Sequence, residues 1–184
     1  MRILAVSGSL RAASTNTSLL RVAAVLAPPD VEVALWGGLA DIPPFNPDLE
    51  EDPPAPPVAD LRTRIDAADG LLISSPEYAH GVPGVLKNAL DWLVGGSEIV
   101  EKPVALWNAS ATATHAQASL VEILTVMSAH LVAEASVTVP LASSRLDEAT
   151  LLADPAVTGA LRAALEAFAR VLRAREERRG TPAA

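Results

Sequence analysis

Val6-Ser7-Gly8-Ser9-Leu10-Arg11-Ala12-Ala13-Ser14-Thr15-Asn16-Thr17 joins two different periodicities. Before it, Ile3-Leu4-Ala5-Val6 is a continuous apolar run. After it, Leu19, Leu20, Val22, Ala23 and Leu26 recur at helical spacing. The stretch therefore reads as strand, hydroxyl-rich loop, helix. Such a helix start leaves backbone N–H groups unpaired at the positive end of its dipole. An anion, most often a phosphate, is stabilised there. Ser9, Ser14, Thr15, Asn16 and Thr17 add side-chain donors, and Arg11 adds a fixed positive charge. Helix capping by Ser14 or Thr15 uses the same geometry, so both roles are compatible.

The same alternation continues outward. Apolar strands are expected at residues 2–7, 31–36, 70–75, 103–109 and 131–139. Helices are expected at 15–26, 58–68, 85–94, 116–129 and, as one long amphipathic element, 151–177. Pro28-Pro29 stops the first helix, Gly95-Gly96 the third, and Pro140 ends the last strand. Continuous apolar strands alternating with helices imply a parallel sheet covered on both faces. Ligands in such sheets sit at the carboxyl ends of the strands. The loops at 8–16, 76–84 and 110–115 are expected at that edge. Residues 37–57 form a long loop rich in proline and acidic side chains, read as a surface excursion, a flap over the ligand or a subunit contact.

The 184 residues fit one domain spanning 1–179, with 180–184 a frayed tail. Half the residues are hydrophobic and only 3% aromatic, so the core must be aliphatic. Without cysteine there are no disulfides, thiolate metal sites or cysteine nucleophiles. The net charge of −8 argues against a nucleic-acid surface, which needs a basic field. No apolar run reaches membrane-spanning length and no signal-peptide pattern opens the chain, so a cytoplasmic protein is expected. His80, His115 and His130 lack metal-ligand spacing, and no metal site is expected.

The first loop has neither the G-x-G-x-x-G spacing of dinucleotide sites nor the G-K-[ST] of a Walker loop. A single phosphomonoester fits it better than a pyrophosphate, and FMN is the common ligand of that kind on a doubly wound sheet. The loop at 76–84 suits a flat heterocycle. Pro76 and Pro83 stiffen it, and Gly81 and Gly84 permit close backbone approach.

Gly8-Ser9-Leu10-Arg11-x-x-Ser14-x-Asn16, followed by Ser74-Ser75-Pro76-Glu77-Tyr78 and Pro83-Gly84-x-Leu86-Lys87-Asn88-Ala89-Leu90-Asp91-Trp92, resembles the NADPH-dependent FMN reductase family. That family is flavodoxin-like and includes quinone, azo-dye and chromate reductases. The resemblance implies an α/β, doubly wound, five-stranded parallel sheet of order 2-1-3-4-5 with helices on both faces. It implies tightly bound, non-covalent FMN, with NADPH or NADH as co-substrate and a small-molecule acceptor such as free flavin or a quinone. By the same resemblance Ser9, Leu10, Arg11, Ser14, Thr15 and Asn16 hold the phosphate. Pro76, Glu77, Tyr78 and Ala79 face the ring, and Ser110 lies near the flavin. Family members are dimers or tetramers, and residues 86–92 are the expected contact. The flavin carries the chemistry, so no side-chain catalyst is named. Two departures stand out: Ala79 and His80 follow the Glu-Tyr pair, where asparagine is usual, and Ala111-Thr112-Ala113-Thr114-His115 replaces a glycine-rich loop. These motivate a second reading, a flavin-binding electron carrier without reductase turnover. A third is a phosphate-binding α/β protein without flavin.

Overall fold

The computed structural model describes residues 1–50 and 54–180, with the main chain alone described at Gly180. β1 (Arg2–Ser7) lies between β2 (Glu32–Trp36) and β3 (Gly70–Ser74), and β4 (Pro103–Asn108) pairs with β3. The order is β2-β1-β3-β4-β5, with every pairing parallel. This is the expected 2-1-3-4-5 sheet.

The alternating pleat sorts the apolar run into two cores. Ile3, Ala5, Leu72, Ala105 and Trp107 face α1 (Thr15–Leu26) and α6 (Pro155–Gly180). Leu4, Val6, Leu71, Ile73, Val104 and Leu106 face α2 (Pro56–Ala67), α3 (Gly84–Asp91) and α4 (Thr114–Val126). Burial on both faces explains why these strands are unbroken hydrophobic runs.

Three expectations need correction. The fifth strand is not continuous over 131–139. It is split into β5 (His130–Leu131) and β6 (Val137–Thr138), both on β4, with a 3-10 turn at Ala133–Ala135 between them. Alanine and glutamate there are poor strand formers. Ser136 repairs the interrupted ladder. Its hydroxyl accepts from Leu106 N at 3.0 Å and donates to Val132 O at 3.0 Å. The long helix expected at 151–177 is instead α5 (Glu148–Leu152) and α6, broken before Pro155. Asp154 caps α6, accepting from Ala156 N at 2.9 Å and Val157 N at 3.3 Å. Gly180, expected in the frayed tail, closes α6, while residues 181–184 lie outside the described chain.

Over its described residues the long loop does not line the crevice at the carboxyl edge of the sheet; it packs on the chain at Leu39, Ile42 and Phe45, while residues 46–50 stay exposed, and 51–53 lie outside the described residues. It carries 3-10 turns at Gly38–Asp41 and Pro47–Leu49, and α2 already begins at Pro56. Asn88 and Trp92 pin it to α3. Asn88 Oδ1 accepts from Phe45 N at 2.7 Å, and both Asn88 Nδ2 and Trp92 Nε1 donate to Pro43 O, at 2.9 and 2.8 Å. Phe45 meets Trp92 edge-on at 5.1 Å. Leu86, Ala89, Leu90 and Trp92 are buried within the chain. The segment expected as a subunit contact thus spends its apolar side chains on its own core.

Candidate functional site

Four loops meet at the carboxyl edge of the sheet, following β1, β3, β4 and β6. Together they enclose a crevice of about 520 Å³, within the range of small-molecule sites. Of the expected residues, Ser9, Arg11, Ser14, Thr15, Asn16, Pro76, Glu77, Tyr78 and Ser110 line it. Leu10 and Ala79 do not. Among the lining residues Arg11 is the one cation and Glu77 the one carboxylate.

The β1 loop is drawn tight at its base, where the Ser7 and Thr17 hydroxyls are 2.8 Å apart. Gly8 is required by packing, because a Cβ there would stand 2.4 Å from Ser75 Oγ and 2.9 Å from its Cβ. Ser14 occupies the N-cap position of α1 in extended conformation and is buried, yet its hydroxyl makes no capping bond. Among the described residues nothing accepts from the N–H groups of Asn16 and Thr17 in the first turn. Asn16 Oδ1 accepts from Ser74 Oγ at 2.9 Å, which turns its amide nitrogen away from that bond. A buried helix start left uncapped beside a guanidinium is what a phosphate group would complete.

Thr15 does something the sequence reading missed. Its hydroxyl donates to Ser143 O at 2.9 Å and accepts from Leu146 N at 2.8 Å, while its own N–H donates to Ser144 O at 3.2 Å. Thr15 therefore fastens the loop after β6 as a fourth wall of the crevice. Arg11 reaches the same wall, its guanidinium donating to Ser144 Oγ at 3.3 Å. Leu141, Ala142, Ser143 and Ser144 line the crevice, and none was anticipated. The signal was present: whatever follows the last parallel strand must emerge at the same edge.

Glu77 holds two loops together, its carboxylate accepting from Ala116 N at 2.8 Å. That places a negative charge in the first turn of α4, where the dipole favours it. Asn108, buried at the end of β4, shapes the next loop by donating to Ala113 O at 3.0 Å and accepting from Ser110 N at 3.0 Å. The Ser110 hydroxyl lies 3.0 Å from that of Thr112. Side-chain bonds thus organise the loop that lacks the family's glycines.

Beyond Tyr78 the chain reverses in a two-residue turn, closed by Tyr78 N to Gly81 O at 3.1 Å and Gly81 N to Tyr78 O at 2.9 Å. Its central residues, Ala79 and His80, have φ of 49° and 58°. Both are left-handed, in a turn that favours glycine, asparagine or aspartate. Ala79→Gly is expected to raise stability by about 0.5–1 kcal/mol, because Cβ strain at a left-handed alanine is of that order or larger. An upward shift of the urea midpoint at unchanged slope is the measurement, and an unchanged or lowered midpoint would contradict it.

The family model for NADPH-dependent FMN reductase matches residues 1–144. The chain belongs to this family. An NAD(P)H-dependent FMN reductase of Pseudomonas aeruginosa is 40% identical over 113 residues, covering 60% of this chain and 60% of that protein. A quinone reductase of Escherichia coli is 37% identical over 106 residues, covering 57% of this chain and 55% of its own length. The chain thus spans little more than half the length of these curated relatives. Among solved structures, the flavoenzyme NAD(P)H:(acceptor) oxidoreductase FerB of Paracoccus denitrificans superposes with a TM-score of 0.68 at 28% identity, covering 92% of this chain and 97% of that one. A flavodoxin of Bacillus cereus, 15% identical with a TM-score of 0.60, shares the fold.

Proposed function

We propose that this family member is an FMN-dependent NAD(P)H oxidoreductase acting on a small acceptor such as free flavin or a quinone. The uncapped start of α1 carries the reading: it is buried, faces the crevice, and has Arg11 beside it. The Asn16 and Thr17 amides, the Asn16 carboxamide, the Ser9 and Ser14 hydroxyls and the Arg11 guanidinium are the phosphate ligands. Pro76, Glu77 and Tyr78, with Ser110 opposite, receive the ring. When bound, FMN supplies the redox chemistry, accepting a hydride from NADPH or NADH and passing it to the acceptor.

The protein's part is to bind, orient and shield. Glu77, committed to the start of α4, fixes the spacing between the walls rather than moving a proton. The resemblance to the family supports a homodimer or homotetramer working in the cytoplasm as part of this reading. No helix among the described residues is long and apolar enough to cross a membrane.

The test is a titration with FMN followed by NADPH and then NADH. A yellow complex that consumes NAD(P)H in the presence of an acceptor is expected. A protein that stays colourless, and oxidises no NAD(P)H with FMN present, overturns the reading. The electron-carrier alternative draws on the loop at 110–115, whose hydroxyls and Asn108 close on one another. Rapid mixing separates the two, because a carrier leaves its flavin oxidised when NADPH is added.

A further inference from the structure

Two imidazoles stand beside the crevice that the reaction above does not use. His80 and His115 are stacked, with ring centroids 4.3 Å apart and planes 21° from parallel. Both residues are exposed. His80 lies two residues beyond Tyr78, and His115 two residues beyond Ala113, and Tyr78 and Ala113 both line the crevice. The pair therefore bridges the loops after β3 and β4 at the rim of the site.

A second observation concerns His80 alone. Its backbone and that of Ala79 are left-handed, with neither glycine nor asparagine to ease the turn. Glu101 and Ser128, also exposed, are left-handed too, so the strain alone assigns nothing; what sets His80 apart is what its turn faces. Here the turn directs an imidazole onto a second one from another element. His115 sits in the first turn of α4, whose position is set by the bond from Ala116 N to Glu77. Both partners of the stack are thus held by the same segment that lines the crevice.

Each neutral imidazole offers one N–H donor and one acceptor nitrogen, and each imidazolium offers two donors. Quinone oxygens gain negative charge as the ring is reduced. Donors at the ring's edge then bind the reacting quinone more strongly than the resting one, which accelerates the step.

We propose that His80 and His115 are acceptor-binding residues, forming a donor edge that receives the carbonyl oxygens of a quinone-type acceptor at the mouth of the crevice. The proposal rests on the flavin reductase reading above. Reduction to the hydroquinone takes one hydride, derived from NAD(P)H by way of the flavin, and one proton from water. No bond to the protein forms.

The experiment uses FMN-loaded, oxidised protein and duroquinone, whose fully methylated ring resists addition by amines. The ring signals of His80 and His115 are followed by NMR as duroquinone is added, without turnover. Both sets are expected to move together with the titration. The double variant H80A/H115A is expected to bind duroquinone about tenfold more weakly, with its affinity for FMN unchanged. After reduction by NADPH, reoxidation by duroquinone should slow by a similar factor, while reoxidation by ferricyanide, which needs no donor edge, should not. H80Q/H115Q keeps N–H donors and should recover part of the loss. His115→Ala alone, at an exposed helical position where alanine is well tolerated, serves if the double variant is unstable. Stationary ring signals, or wild-type duroquinone affinity in the variants, overturn the proposal. Failure of the wild type to take up FMN would show before any quinone is added, and would remove the function reading and this inference with it.

Discussion

Thr15→Val is expected to lower stability by about 2–3 kcal/mol and to weaken FMN binding beyond what that loss alone explains. Valine keeps the shape and the burial of Thr15, which is 1% exposed. It removes the hydroxyl that donates to Ser143 O and accepts from Leu146 N. The Leu146 N–H, half-buried, is then left without its acceptor, and a stranded donor costs about 1–3 kcal/mol. The Ser143 carbonyl is exposed and recovers a water, so its share is smaller. In a chain of this size the sum lowers the melting temperature by roughly 4–12 °C.

A second effect falls on the site. The loop bearing Leu141 to Ser144 would keep one main-chain bond to Thr15, from Thr15 N to Ser144 O, and would lose its side-chain latch. A tenfold or larger rise in the FMN Kd is expected, on the order of 1.4 kcal/mol. Thr15→Ser restores the hydroxyl and should return both quantities most of the way. A valine variant that melts and binds as the wild type does would show that the latch carries nothing.

That latch also marks the boundary of what the sequence discloses. The order of strands and helices is local information: each apolar run is short, ends at a glycine, proline or polar cluster, and alternates with a helical pattern. Topology then follows from handedness and from burial on both faces. The loops after β1 and β3 were legible because their residues have intrinsic chemistry, a lone arginine among hydroxyls and a proline-braced turn. For the wall at 141–144 only its place was legible, at the edge where the last strand ends; that Ser143 and Ser144 are fastened there was not, because they gain meaning only from Thr15, more than a hundred residues earlier in the chain. The split of the fifth strand was similarly hidden. Ala133-Glu134-Ala135 are weak strand formers, yet only the positions of Leu106 N and Trp107 Nε1, bonded to Ser136 Oγ and Ala135 O, show why a turn is tolerated there. The division of the last helix was readable in principle from Asp154-Pro155, a cap followed by a residue favoured at the first helical position. Amphipathic periodicity running through the break concealed it. The stack of His80 on His115 had no sequence signal at all, since 35 positions separate a histidine in a turn from one in the first turn of α4.

Arg11→Ala is expected to weaken FMN binding by about tenfold to a hundredfold while leaving riboflavin binding unchanged. Arg11 is exposed and its one side-chain bond among the described residues is to Ser144 Oγ at 3.3 Å, so truncation removes little that the fold depends on. What it removes is the sole cation lining the crevice among the described residues, in a chain whose net charge is −8. A charge-assisted hydrogen bond to a phosphate contributes about 1.5–3 kcal/mol, which sets the expected range. The rest of the affinity stays with the α1 amides and with contacts to the ring, which the substitution does not touch. Riboflavin has the same ring and no phosphate, so it reports on the crevice without Arg11's contribution. Arg11→Lys keeps the charge but loses the planar fork, and an intermediate affinity is expected. Isothermal titration with both ligands decides the matter. An equal loss for FMN and riboflavin would mean that Arg11 shapes the loop rather than binding the phosphate. An FMN Kd within threefold of the wild type would place the phosphate elsewhere, and the uncapped start of α1 would then need another explanation.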